Sequence, residues 1–163
     1  MPSVQKFRAT NAAVPFYKWE SKKPVAVYRN GVKYFQKYLY LYAASGLPGG
    51  KVYFPYDADL GAALITEIQV IPSTDTAKPF EPVRIASDAM LAALTCSFMN
   101  WDSKYQIDAL PLNCLVHNAF VNERFWNYFR LNFIPEKSFI STPDGSVIAL
   151  SSTVVFLFTY KIL

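Results

Sequence analysis

The chain has 163 residues, of which 17% are charged and 17% aromatic. That length supports one domain with a real core, and no apolar run approaches the roughly 18 residues of a membrane-spanning helix. Two cysteines, Cys96 and Cys114, are too few for a disulfide framework or a zinc site, and the N-terminus lacks the charged, apolar, small order of a secretory signal.

The net charge of +4 resides in the first twenty-three residues, where Lys6, Arg8, Lys18, Lys22 and Lys23 face only Glu20. From Pro24 onward, eleven basic residues balance eleven acidic ones. Residues 1–23, with scattered charges and Pro2 and Pro15, are predicted to form an extended basic N-terminal arm. Phe16, Tyr17 and Trp19 are its expected anchors, because aromatic rings supply docking surface on a loose segment. Residues 24–163 then form the body. Its charge is low against about 25% for a typical soluble domain, which calls for partners to cover its surface.

The body reads as strands. Val25 to Tyr28 leads into Asn30-Gly31, a strong hairpin turn signal. Val32 to Ala43 alternates, with Tyr34, Gln36, Tyr38, Tyr40 and Tyr42 on one face and Lys33, Phe35, Lys37, Leu39 and Leu41 on the other. Gly46, Pro48, Gly49 and Gly50 make a loop. Further strands are expected at Val52 to Phe54, Leu64 to Ile71, Phe80 to Ile85, Thr95 to Trp101 and Tyr105 to Leu110. Ala89 to Leu94 favours a short helix, and Phe120, Val121, Phe125, Tyr128 and Phe129 fit one face of another opened by Asn118.

The last third continues with strands at Leu131 to Ile134, Phe139 to Ser141 and Val147 to Leu150. Thr142-Pro143-Asp144-Gly145 is a turn. Thr153 to Ile162 closes the series, apolar on nearly both faces, as befits a strand inside a sandwich or at a subunit contact. Short strands with Pro/Gly turns and no repeat predict an all-β antiparallel sandwich with room for about eight strands and one or two short helices. That number favours a jelly roll.

Chemistry is sparse. His117 is the single histidine, so a multi-histidine metal site is excluded, and Cys114 is its only near companion. A packed or hydrogen-bonded histidine is the expected role. Both cysteines are expected in the core as small hydrophobes. Asp57 and Asp59 could share a calcium, but such a loop needs six or more oxygen ligands, and the pair reads as a turn. No catalytic, cofactor or metal residue is assigned, no small-molecule substrate is expected, and the chain is read as a non-enzyme. The stripe Tyr34, Tyr38, Tyr40 and Tyr42 admits three readings: a sugar-stacking platform, a subunit interface, or core with hydroxyls at a rim. Interface is favoured, because Tyr is enriched at contacts and Lys33 and Lys37 take the opposite face. Leu157 joins the stripe as a candidate interface residue, its own face being either contact or core.

Arm, strand series and the long aromatic C-terminal strand together resemble the single-jelly-roll vertex, penton or spike proteins of small icosahedral bacteriophages. The resemblance is architectural, covers the whole length and includes no diagnostic motif. It implies a structural virion protein, located in the virion after assembly in the host cytoplasm, that forms a homopentamer beside other capsid proteins. The arm, through Lys6, Arg8, Phe16, Tyr17, Lys18, Trp19, Lys22 and Lys23, would tuck under neighbours and contact nucleic acid or a membrane surface only weakly. A carbohydrate- or receptor-binding β-sandwich is the alternative, using the tyrosine stripe or a platform at Trp19, Trp101 or Trp126.

Overall fold

Two residues with positive φ set the first hairpin: Asn30 at 51° and Gly31 at 76°. Left-handed conformation at both central positions makes a type I′ turn, whose twist matches that of the strands it joins. It links β2 (Val25–Arg29) to β3 (Val32–Ser45) with Arg29 opposite Val32. The computed structural model describes residues 16–45, 50–71, 88–116, 128–144, 149–150 and 153–162. The expected strand Phe80 to Ile85, together with Lys6, Arg8, His117, Phe120, Val121, Phe125 and Trp126, lies outside them.

β3 is long because its alternation is uninterrupted, and it organises the larger sheet. β1 (Phe16–Ser21) and β2 run end to end along one edge of it, and β11 (Val154–Ile162) and the short β10 (Ala149–Leu150) along the other. β5 (Ala63–Ile71) and β8 (Tyr128–Leu131) follow beyond β11. The smaller sheet orders β4 (Lys51–Tyr53), β9 (Phe139–Ser141), β6 (Thr95–Met99) and β7 (Tyr105–Pro111). All these ladders are antiparallel. The fold is an all-β sandwich of two packed sheets, as the sequence predicts.

Eight of these strands nest like a folded-back hairpin. β3 pairs with β11, β4 with β9, β5 with β8 and β6 with β7, so the first of the eight meets the last and the fourth meets the fifth. β1, β2 and β10 are additions flanking β3.

The core lies between the sheets. Leu39 and Leu41 of β3, Ile65, Ile68 and Val70 of β5, and Val154, Phe156, Phe158 and Tyr160 of β11 face Val52, Cys96, Phe98 and Ile140 of the smaller sheet. Phe54 joins the layers: its ring centroid lies 5.0 Å from Trp19, 5.5 Å from Phe98 and 5.3 Å from Phe156. Phe133 fills the far side, 5.0 Å from Phe98 and 5.9 Å from Phe158. Ile65 and Ile68 both point inward although three positions apart. The register shift opposite Thr159 and Tyr160 absorbs the extra residue, a β-bulge that restores the phase. Thr66, the extra residue, is buried and donates its hydroxyl to the Thr159 carbonyl at 3.2 Å.

Several expectations change. Phe16–Ser21, assigned to the arm, is a strand of the larger sheet, and Trp19 packs on the core. The boundary at Pro24 therefore falls inside the body. Tyr128 and Phe129, expected in a helix, begin β8 instead, and of the strand expected at Leu131 to Ile134 only Leu131 lies in a strand. A short helix does form at Asp88–Ala92. A second one-turn helix, Ala58–Gly61, is opened by Asp57, whose carboxylate accepts from the backbone N–H groups of Asp59 and Leu60. Of the two thiols, Cys96 is buried and Cys114 exposed, so Cys114 is not core; both are free.

Candidate functional site: a tyrosine ladder on the outer face of the larger sheet

Alternation along β3 sends Leu39 and Leu41 inward and leaves the even-numbered residues on the outer face. Tyr38, Tyr40 and Tyr42 form a ladder there, with ring centroids 6.2 Å and 6.0 Å apart and interplanar angles of 12° and 22°. Near-parallel rings at this spacing turn their faces toward one another and their edges and hydroxyls outward. Tyr34 stands apart from that stack, under the ammonium of Lys161 at 5.1 Å from its centroid. Tyr38 is the most open of the four, 38% exposed, and the other three are half-buried.

β1 supplies the charges beside the ladder. Lys18 Nζ lies 5.7 Å from the Tyr42 centroid and Lys22 Nζ 5.4 Å from that of Tyr40, both in cation–π range. Between them Glu20 accepts hydrogen bonds from Lys22 and from the Tyr42 hydroxyl. These bonds to Lys22 and then Tyr42 hold the Glu20 carboxyl below the usual range. The same contact, together with burial, pushes the Tyr42 phenol up to about 12. The ladder is thus tied to β1 by ring contacts and one charged hydrogen bond.

β11 completes the face. Its register sets Val155 beside Tyr40, Leu157 beside Tyr38 and Thr159 beside Gln36, with Ile71, Gln69 and Glu67 of β5 on the other side. Leu157 is 8% exposed, and it lies on the sheet face opposite Phe156 and Phe158. Val155 and Thr159 are buried as well, so the open part of this face is the tyrosine ladder with its cationic β1 border. Of the predicted arm residues, Tyr17, Lys18, Trp19, Lys22 and Lys23 are placed here or nearby; Tyr17, Lys18, Lys22 and Lys23 are exposed, while Trp19 turns inward and donates its indole N–H to the Tyr53 carbonyl at 3.0 Å. Phe16 is the first residue of β1.

The opposite face of β3 is not a second cationic surface. Lys37 is buried, and its Nζ lies 2.7 Å from Asp57 Oδ2 and 2.8 Å from Asp59 Oδ2. Ser21 donates its hydroxyl to the same Asp57 oxygen at 3.0 Å. Burial alone would lower the Lys37 pKa, but the hydrogen bonds to Asp57 and Asp59 outweigh it and hold the ammonium charged. The place a cation would take between the two aspartates is thus filled by Lys37. Among the described residues no group of three or more His, Cys, Asp and Glu is arranged to hold a metal. Pairing of Lys37 with Asp57 and Asp59 is the cluster that sequence reasoning missed. Its signal was a lysine flanked by Phe35 and Leu39 on an inner face, since a buried charge requires a partner.

No family model matches this chain, and neither a curated protein nor a solved structure is found to be similar to it.

Proposed function

We propose that the chain is a structural, non-enzymatic subunit of a viral particle, an oligomer of vertex type built on a jelly roll. The observation that carries this reading is the nesting of eight strands, first with last and fourth with fifth, over two sheets. That nesting supports the jelly-roll reading, and such rolls serve as capsid domains. Fold alone says little about function, so the outer face matters as much. It carries the tyrosine ladder, with Tyr38 exposed, beside Val155 and Leu157, which are buried within the chain itself. An exposed aromatic ring with a basic border suits a protein–protein contact.

A sugar-binding sandwich is the second reading, and the exposed ring of Trp101 favours it. The ladder does not support it. Stacking on a sugar needs an open ring face, whereas Tyr38, Tyr40 and Tyr42 turn their faces to each other. Native mass measurement of the purified chain separates the two. A defined ring, with a pentamer expected, supports the structural reading; a monomer that binds glycans replaces it.

A further inference from the structure

The free edge of the larger sheet is built in two pieces of opposite character. β1 and β2 lie along the same edge of β3, separated by Lys22, Lys23 and Pro24. β1 alternates charge into its edge with Lys18 and Glu20, the usual defence of an exposed strand. β2 reads Val25, Ala26, Val27, Tyr28, Arg29 and pairs only with β3 among the described residues.

Its register determines which backbone groups stay open. The residues flanking a two-residue turn exchange both N–H···O bonds, and such exchange alternates along an antiparallel ladder. Arg29 and Val32 flank Asn30-Gly31, so Arg29, Val27 and Val25 direct their peptide groups to β3. Ala26 and Tyr28 direct theirs away from it. The side chains around this open edge are apolar and uncovered on both faces, with Val25 63% exposed on the outer side and Tyr28 69% on the inner. Ile162, 67% exposed, extends the inner patch at the same end of the sheet.

Charge determines the occupant. Lys22, Lys23, Arg29 and Lys33, all exposed, border the edge. The carboxylates nearby offset only two of these four cations, Glu20 pairing with Lys22 and Glu67 with Arg29 at 3.2 Å, so Lys23 and Lys33 leave the border net positive. Antiparallel pairing of β2 with a second copy, centred on Val27, would set each Arg29 opposite Val25 and diagonal to Lys23 of the other chain. Like charges brought together across strands are destabilising. We propose that β2 is a strand-addition site for an extended segment of a different protein, apolar at alternate positions and carrying carboxylates at its ends. Main-chain bonds to Ala26 and Tyr28 would supply affinity, Val25 and Tyr28 the side-chain contacts, and the basic border the selection.

The test uses the full chain and two synthetic peptides of alternating valine and threonine, one ended by glutamates and one by lysines. With the glutamate peptide, amide hydrogen exchange at Ala26 and Tyr28 should slow by about tenfold or more, and Val27, already bonded to β3, should change far less. The lysine peptide should bind at least about tenfold more weakly, and added salt should weaken the glutamate peptide. Ala26→Pro and Tyr28→Pro each delete an outward N–H without touching the β3 ladder, and each should reduce binding about tenfold. Because the wild-type exchange measurement needs no variant, a misfolded proline mutant does not decide the matter. Equal binding of the two peptides would overturn the proposal, as would unchanged exchange at Ala26 and Tyr28. So would protection of those two amides that grows with protein concentration alone, since a second copy would then occupy the edge. The site stands independently of the virion reading.

Discussion

Phe156 and Phe158 are fully buried, stacked 6.0 Å apart, and reach Phe54 and Phe133 in the opposite layer. Truncating either to alanine should cost about 3–5 kcal/mol, the range for emptying a buried aromatic site, as denaturant unfolding would register. Thr159 is fully buried, and Gln36 Nε2 donates to its hydroxyl at 3.4 Å. Thr159→Ala should therefore cost about 1 kcal/mol through that bond, less than either phenylalanine. At the buried ion cluster the two aspartates should differ. Asp57→Ala strips a buried ammonium and a helix cap together and should cost about 3–5 kcal/mol. Asp59, whose side chain is 47% exposed, should cost about 0–1 kcal/mol as a surface partner. Equal effects would mean that the two carboxylates hold Lys37 alike, and that the exposure of Asp59 does not weaken its hold.

Alkali tests the same scale. Tyr42 and Tyr160 titrate at about 12 against an ordinary 10.0, Tyr42 because Glu20 accepts its proton in a hydrogen bond and Tyr160 because of burial, with Asp59 and Asp57 nearby. A raised folded pKa means that the unfolded chain loses its proton first. The stability these phenols contribute is therefore complete below about pH 10 and lost between there and about pH 12. Absorbance at the phenolate band should show late ionisation from Tyr42 and Tyr160, and Tyr42→Phe should remove one of these steps. Ordinary titration of every tyrosine would refute the Tyr42–Glu20 bond.

At the scale of elements, β1 is the decisive case. Residues 1–23 were expected to be dispensable to the fold, but Phe16–Ser21 pairs with β3, and Trp19 stacks on Phe54. Removing residues 1–23 should lower the melting temperature sharply, because it deletes β1. Trp19→Ala alone should cost about 3 kcal/mol, the low end for a large aromatic because the ring is only half-buried. Circular dichroism melts of the full, truncated and Trp19→Ala chains would register both effects; a melt unchanged by the truncation would restore the boundary at Pro24. The pattern of β1 was present in the sequence: Lys18, Glu20 and Lys22 alternate with Tyr17, Trp19 and Ser21. The basic residues hid it, because they read as a charge run and not as the outer face of a strand. β3, β9 and β11 were legible because period two ran unbroken or turn residues marked their ends. β8 was not, since Tyr128 and Phe129 also fit a helical face. The Lys37 cluster was half legible: a lysine on an inner face called for a partner, but not for a particular one. It joins β3 to a turn twenty residues away, and only the packing of the two sheets brings them together.

At the scale of the whole molecule, the outer tyrosine face should hold the chain to its neighbours. Specific interfaces bury about 1,200–2,000 Å² in total, so the exposed β1 border with Lys18 and Lys22 should share the contact with the ladder. Tyr38 is the residue to remove first, because it is the most exposed ring of the ladder. Tyr38→Ala should leave the unfolding transition within about 1 kcal/mol of the parent, as surface substitutions usually do, while weakening assembly by tenfold or more if the ring anchors the contact. Leu157→Asp sets a carboxylate at a position only 8% exposed and should act first on stability, lowering the unfolding transition far more than Tyr38→Ala. Sedimentation of parent and variants across a range of concentrations reads assembly, and denaturant unfolding reads stability. A parent that sediments as a monomer at high concentration defeats the interface assignment. A Tyr38→Ala chain that assembles as the parent does would move the contact to another face of the sandwich, with the ladder left as a brace holding β1 to β3.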